Sequence, residues 1–141
     1  MSANVAEELP ELHFAGGLPG FPDVRRFVLV RLGDEHSPFS VLRSLDDGPD
    51  IAPAVEFVVT HPSLFFPDYE PEIDDDIAAR LELKSADDAL LLVIVTVADP
   101  VAASTANLLG PIVVNRHTRA AAQAVLGSSG YATREALVPS T

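Results

Sequence analysis

Twelve prolines spread through 141 residues leave little room for long helices. Each removes a backbone donor and would break a helix interior. The apolar residues come accordingly in short runs, at 27–30, 55–59, 90–97 and 112–114, rich in β-branched and aromatic side chains. Turn chemistry bounds them: Gly33-Asp34, Asp47-Gly48-Pro49, His61-Pro62, Asp99-Pro100 and Gly110-Pro111. This is the pattern of an all-β sandwich or small barrel rather than a helical bundle. One short helix is expected over 73–83, where Asp74, Asp75 and Asp76 can cap an N-terminus and Arg80 and Lys84 lie toward the far end. Ile77, Leu81 and Ile73 would then face the core. Residues 119–126 are ambiguous: four alanines and a glutamine read as helix by propensity. Their place between a strand-like run and Gly127-Ser128-Ser129-Gly130 favours a late strand.

With 48% hydrophobic residues the chain is too apolar for a disordered acidic polymer, despite a net charge of −12. At this length a folded domain buries roughly 70% of the surface its unfolded chain exposes, so one self-sufficient core is expected. The charge is uneven. Residues 1–100 carry 20 of the 21 acidic residues and six of the nine basic ones, with no Gly/Ser linker between the two parts. An excess of carboxylates argues against a direct nucleic-acid ligand, because there are few cations to neutralise phosphates. It leaves basic proteins open as partners. The acidic N-terminal stretch has no basic or apolar signal-like region, and the longest apolar run, 89–97, is too short to span a bilayer as a helix. A cytoplasmic, membrane-independent protein is expected.

Catalytic and metal-binding patterns are missing from the sequence. There is no cysteine, and His13, His36, His61 and His117 fall at no metal-ligand spacing. The triplet Asp74-Asp75-Asp76 lacks the alternation and glycine of a calcium loop. Gly127-Ser128-Ser129-Gly130 is not a nucleophile elbow. In Gly16-Gly17-Leu18-Pro19-Gly20, Pro19 removes an amide that a phosphate cradle would use. No pair among the 21 carboxylates is singled out for acid–base work. No cofactor and no catalysis are expected; a small hydrolase would need converging carboxylates or a histidine pair.

Three segments are more specific than generic β structure: GLPGF at 17–21, FFPDYE at 65–70 and TANLLGPIVVN at 105–115. In this order and spacing, from Phe14 to Leu137, the chain resembles the bacterial flagellar assembly factor FliW family. The resemblance implies a small antiparallel β-barrel-like single domain with one short helix. It would occupy residues 1–141, with 1–11 and 139–141 poorly ordered. It also implies a non-enzymatic regulator that binds the translational repressor CsrA, freeing flagellin mRNA from silencing. Such a regulator binds flagellin as well, so that translation follows secretion. A dedicated flagellin chaperone without CsrA regulation is the alternative. The chain departs from the family pattern at Arg43, where glutamine is common, in an apparent insertion at 48–54, and in lacking a clear strand before Leu12-His13-Phe14.

The residues also admit a physical reading. Gly17, Pro19 and Gly20 build a tight turn, with Phe14 and Phe21 anchoring its two sides in the core. Asn107 and Asn115 are placed to satisfy backbone groups at turns or strand ends. The two phenylalanines of FFPDYE would point to opposite faces if extended, one inward and one near the surface. Aromatic anchors beside charges suit a protein interface. The candidate partner-binding residues are therefore Asp46, Asp47, His61, Leu64, Phe65, Phe66, Asp68, Tyr69 and Glu70. The unbound protein is expected to be a monomer.

Overall fold

The computed structural model describes residues 11–14, 25–33, 38–45, 56–127 and 130–137. Its strands are β1 (Leu12–Phe14), β2 (Arg26–Arg31), β3 (Phe39–Ser44), β4 (Glu56–Thr60), β5 (Ala89–Thr96), β6 (Thr105–Ala106), β7 (Ile112–Asn115), β8 (Ala120–Gln123) and β9 (Glu135–Ala136). Seven of them close a barrel in the order β1-β2-β3-β4-β5-β7-β8, and β6 and β9 extend the sheet from β5. The expected all-β barrel is thus observed. Its neighbours pair antiparallel except at one seam, where β8 returns to β1 in parallel, with His13 opposite Ala120 and Phe14 opposite Ala121.

Alternation along the strands fills the barrel. Leu12, Phe14, Phe27, Leu29, Leu42, Val59, Leu92, Ile112, Val114 and Ala121 form the interior cluster, and Phe57, Leu90 and Ile94 pack against it. Phe14 and Phe27 meet edge to face at 5.3 Å and are fully buried, so Phe14 is the core anchor the sequence suggests. Phe21 lies outside the described residues.

The long apolar run of β5 has two buried faces. Its even positions 90, 92 and 94 point into the barrel, Ala89 and Leu91 lie under the helix, and Val93 and Val95 lie under a separate outer layer. A strand covered on both sides reads as a continuous hydrophobic run instead of an alternating one. Ala120, Ala122 and Ala124 belong to the cluster beneath the helix. Strand pairing wins there over alanine's helical propensity, and the small side chains let the helix approach closely.

The helix α1 (Asp75–Arg80) is shorter than the expected 73–83. Asp74 is its N-cap, accepting from the Ile77 amide at 2.9 Å, while Asp75 and Asp76 sit in the first turn and Arg80 in the last. Ile77 and Leu81 are buried and Ile73 half-buried, as their spacing requires. The helix stops because Glu82 takes a left-handed conformation, φ 56°. The Glu82 amide donates to the Ala79 carbonyl and the Leu83 amide to Ala78, the two bonds of a Schellman cap. Asn115, at the end of β7, locks this cap to the barrel. Its Nδ2 donates to the Leu81 carbonyl at 2.8 Å, and its Oδ1 accepts from the His117 and Thr118 amides.

Asn107 plays a matching part before β7. Val95 pairs with Ala106 and Leu92 with Ile112, so residues 107–111 bulge from the strand that faces β5. The Asn107 carboxamide accepts from the Leu109 and Gly110 amides at 3.1 and 2.9 Å and fixes that bulge. Gln123 donates to the Gly110 carbonyl at 2.8 Å, and a Cβ on Gly110 would come 2.7 Å from Gln123 Nε2. The TANLLGPIVVN segment is therefore chiefly structural.

Of the ends expected to be poorly ordered, residues 1–10 and 139–141 lie outside the described residues. Glu11 is described and holds Arg26 through two bonds of 2.8 and 3.0 Å. The 48–54 insertion also lies outside, and Arg43 sits on β3 with its guanidinium 3.6 Å from Glu56.

Two outcomes follow from these contacts. Asn115→Ala leaves the buried Leu81 carbonyl and two part-buried amides without their partner, and urea unfolding should register a loss of about 1–3 kcal/mol. An unchanged midpoint would show that the cap does not depend on Asn115. His61 is exposed as a residue, yet its pKa is lowered from 6.5, first by partial desolvation of the ring and then by the charges of Arg31 and Arg116. The fold therefore favours neutral imidazole. This contribution to stability is present above pH 6.5 and is lost as pH falls through the lower folded-state value. NMR titration should place the His61 midpoint below 6.5, and His61→Gln should flatten the acid-side decline in stability.

Candidate functional site: an aromatic and acidic face

Pro62 starts a 3₁₀ turn, Pro62–Leu64, immediately after β4. The Phe65 and Phe66 amides both donate to the Pro62 carbonyl, at 3.1 and 2.7 Å, and the Tyr69 amide donates to Phe66. The segment is therefore coiled, not extended. The extended backbone on which the two phenylalanines would point to opposite faces is not formed. Both rings are half-buried and pack on the same outer layer. Phe65 stacks on Phe39 of β3 at 5.9 Å, and the Phe66 ring centre is 6.5 Å from Phe65.

Tyr69 ties the turn to the rest of the sheet. Its hydroxyl donates to the Leu108 carbonyl at 2.6 Å, and its ring meets Tyr131 edge to face at 4.7 Å. Burial, with Tyr131 beside it, pushes the Tyr69 pKa well up, so the phenol stays protonated and keeps donating. The Tyr131 hydroxyl accepts from the Glu70 amide at 3.4 Å. Beneath these rings lie Val93, Val95, Ala106, Leu108 and Leu137, which form a second small core outside the barrel.

The surface of this layer is a shallow hollow of about 360 Å³. Phe65, Phe66, Tyr69, Leu108 and Tyr131 line it, together with the carboxylates of Asp68 and Glu135. Leu64 stands 58% exposed on the same turn, and Asp68 and Glu70 are exposed. Of the residues singled out by sequence, Leu64, Phe65, Phe66, Asp68, Tyr69 and Glu70 thus share one turn. His61 precedes that turn, near Arg31 and Arg116, and does not line the hollow. Asp46 and Asp47 lie outside the described residues. Leu108, Tyr131 and Glu135 were not anticipated in the site. Tyr131 is one of only two tyrosines, which was the available signal; the contact with Tyr69 spans 62 positions and has no local signature.

Half-buried aromatics beside exposed carboxylates can hold a protein surface through apolar anchors and charge. Among the described residues, no group of three His, Asp or Glu side chains is placed to hold a metal ion. Among them, too, no helix is long and apolar enough to cross a membrane.

Comparison with known proteins agrees with this architecture. The profile of the family described as FliW protein matches residues 2–137. Flagellar assembly factor FliW of Geobacillus thermodenitrificans is 40% identical over 128 residues, covering 91% of this chain and 84% of the relative. The Bacillus subtilis flagellar assembly factor FliW is 38% identical over 131 residues, covering 93% of this chain and 87% of its own. A crystal structure of the flagellar assembly factor FliW superposes with a TM-score of 0.83 at 37% identity, over 93% of this chain and 87% of that one. With a family profile spanning nearly the whole chain and relatives this similar over most of their length, the chain belongs to the FliW family of flagellar assembly factors.

Proposed function

We propose that this flagellar assembly factor acts in the bacterial cytoplasm as a non-catalytic regulator with two protein partners. It binds CsrA and keeps it from silencing flagellin mRNA, and it binds flagellin, which releases CsrA when unsecreted subunits accumulate. The observation that carries the reading is the aromatic and acidic face built by residues 64–70, on a chain of net charge −12. Such a face suits a basic RNA-binding protein. Apolar anchors provide affinity, and the surrounding carboxylates steer the encounter and raise the association rate more than the affinity.

The deciding experiment is a binding titration with the organism's own CsrA and flagellin, each alone and then in competition. Loss of the CsrA complex as the flagellin complex forms supports the switch. Stable simultaneous binding of both would sink it, and binding of flagellin alone would leave a dedicated chaperone. Stopped-flow association with CsrA should slow by about tenfold between low and high salt, as screening removes the steering; a salt-independent rate removes the electrostatic part of the reading. Phe66→Ala should weaken partner binding by about tenfold or more while circular dichroism reports an intact barrel. Full affinity in that folded variant would take the turn out of the interface.

A further inference from the structure

A second hollow adjoins the first, on the other side of Tyr131. The link between them is the extended stretch 70–74, whose exposure alternates: Glu70, Glu72 and Asp74 are exposed, while Pro71 and Ile73 are half-buried. The three outward carboxylates line a hollow of about 370 Å³ together with Tyr131, Val125 and the chain around Leu126. Val125 has a structural reason to face outward. The Ala124 and Leu126 amides donate to the Pro111 and Leu109 carbonyls, and both side chains are buried, so the residue between them must turn away from the core. It is 68% exposed, the most exposed of the large hydrophobic side chains among the described residues.

Tyr131 lines both hollows, which makes them one trough with an aromatic ridge across it. Apolar side chains line both parts, Phe65, Phe66 and Leu108 in one and Val125 and Leu126 in the other, and acidic residues line both as well: Asp68 and Glu135 in the first, Glu70, Glu72 and Asp74 in the second. Among the described residues no cationic side chain lines either hollow. A lining that mixes apolar and acidic residues with no cation disfavours an acidic or purely apolar ligand, since each would cover carboxylates without a counter-charge.

We propose that this trough, beyond the 64–70 turn itself, is the docking site for a segment of a basic protein that presents an apolar side chain between arginine or lysine side chains. The apolar side chain rests on Val125 and Tyr131, and the flanking cations pair with Glu70 and Glu72 on one side of the ridge and with Asp68 or Glu135 on the other. The identification of that protein with CsrA rests on the preceding reading; the chemistry of the trough does not.

The test uses the full chain and two fluorescent twelve-residue peptides, one alternating arginine with leucine and one alternating glutamate with leucine. The first should bind and the second should not. Glu70→Gln/Glu72→Gln should weaken the arginine–leucine peptide at least tenfold, and Val125→Ser at least threefold, with unfolding midpoints unchanged. A charge-matched control, Glu82→Gln/Asp87→Asn, removes the same two charges from residues that line neither hollow and should cost less than threefold. The proposal is overturned if the control pair costs as much as the trough pair, if Val125→Ser binds like the parent chain, or if neither peptide binds. A chain that holds the peptide through these residues yet ignores CsrA would overturn the partner assignment and keep the trough.

Discussion

The structure depends on β5 being covered on both faces. Its even positions fill the barrel, and its odd positions anchor two different outer layers, the helix at one end and the aromatic turn at the other. Both edges of the strand are used as well. It pairs with β4 over 93–95, with β7 over 89–92 and with β6 over 95–96. Barrel closure, helix docking and the aromatic face therefore converge on eight residues with no polar side chain before Thr96. A polar substitution at Leu92 or Val93 would place an unpaired group at that junction, where nothing nearby could solvate it.

Two asparagines convert this scaffold into a defined surface. Asn107 shapes the bulge whose Leu108 carbonyl receives the Tyr69 hydroxyl, and Asn115 binds the helix cap to the end of β7. The helix and the aromatic turn are consecutive in the chain but are held by opposite ends of the same segment, 105–115. The stretch between them, 70–74, joins the two without regular secondary structure. Its alternating residues acquire separate roles, with hydrophobic ones turned inward and carboxylates turned out.

Much of this was legible in the sequence where residues act locally. The strands at 27–30, 90–97 and 112–114 were readable from β-branched content and flanking turns. The Asp74 cap and the buried spacing of Ile77 and Leu81 were readable from helix physics. Readability failed where a distant partner decides the outcome. The early end of α1 depends on Glu82 adopting a conformation unusual for a residue with a side chain, backed by Asn115 across the fold. The coiling of Phe65 and Phe66 depends on the Pro62 carbonyl accepting twice, which no alternation pattern announces. Strands β1, β6 and β9 are two or three residues long, too short to carry a period. In the site, the aromatic cluster at 65–69 was visible as composition, whereas Tyr131 and Glu135 reach it only through the tertiary fold.

The parallel seam between β1 and β8 has a consequence for how the protein is made. Strands β1 to β4 can pair in succession as neighbours along the chain, but β1 finds its other neighbour only at residues 120–121. On a translating ribosome the first hundred residues therefore form an open, curved sheet of β1 to β5 with unsatisfied strand edges at β1 and β5, and the barrel cannot close until the last third of the chain emerges. Contacts of such long sequence separation fold slowly, and an uncovered edge is the part of a β protein most prone to pair with the wrong strand. The dense negative charge of residues 1–100 lies in the part of the chain that must wait. Nascent sheets that carry it repel one another, which protects the unfinished barrel from aggregation during that interval.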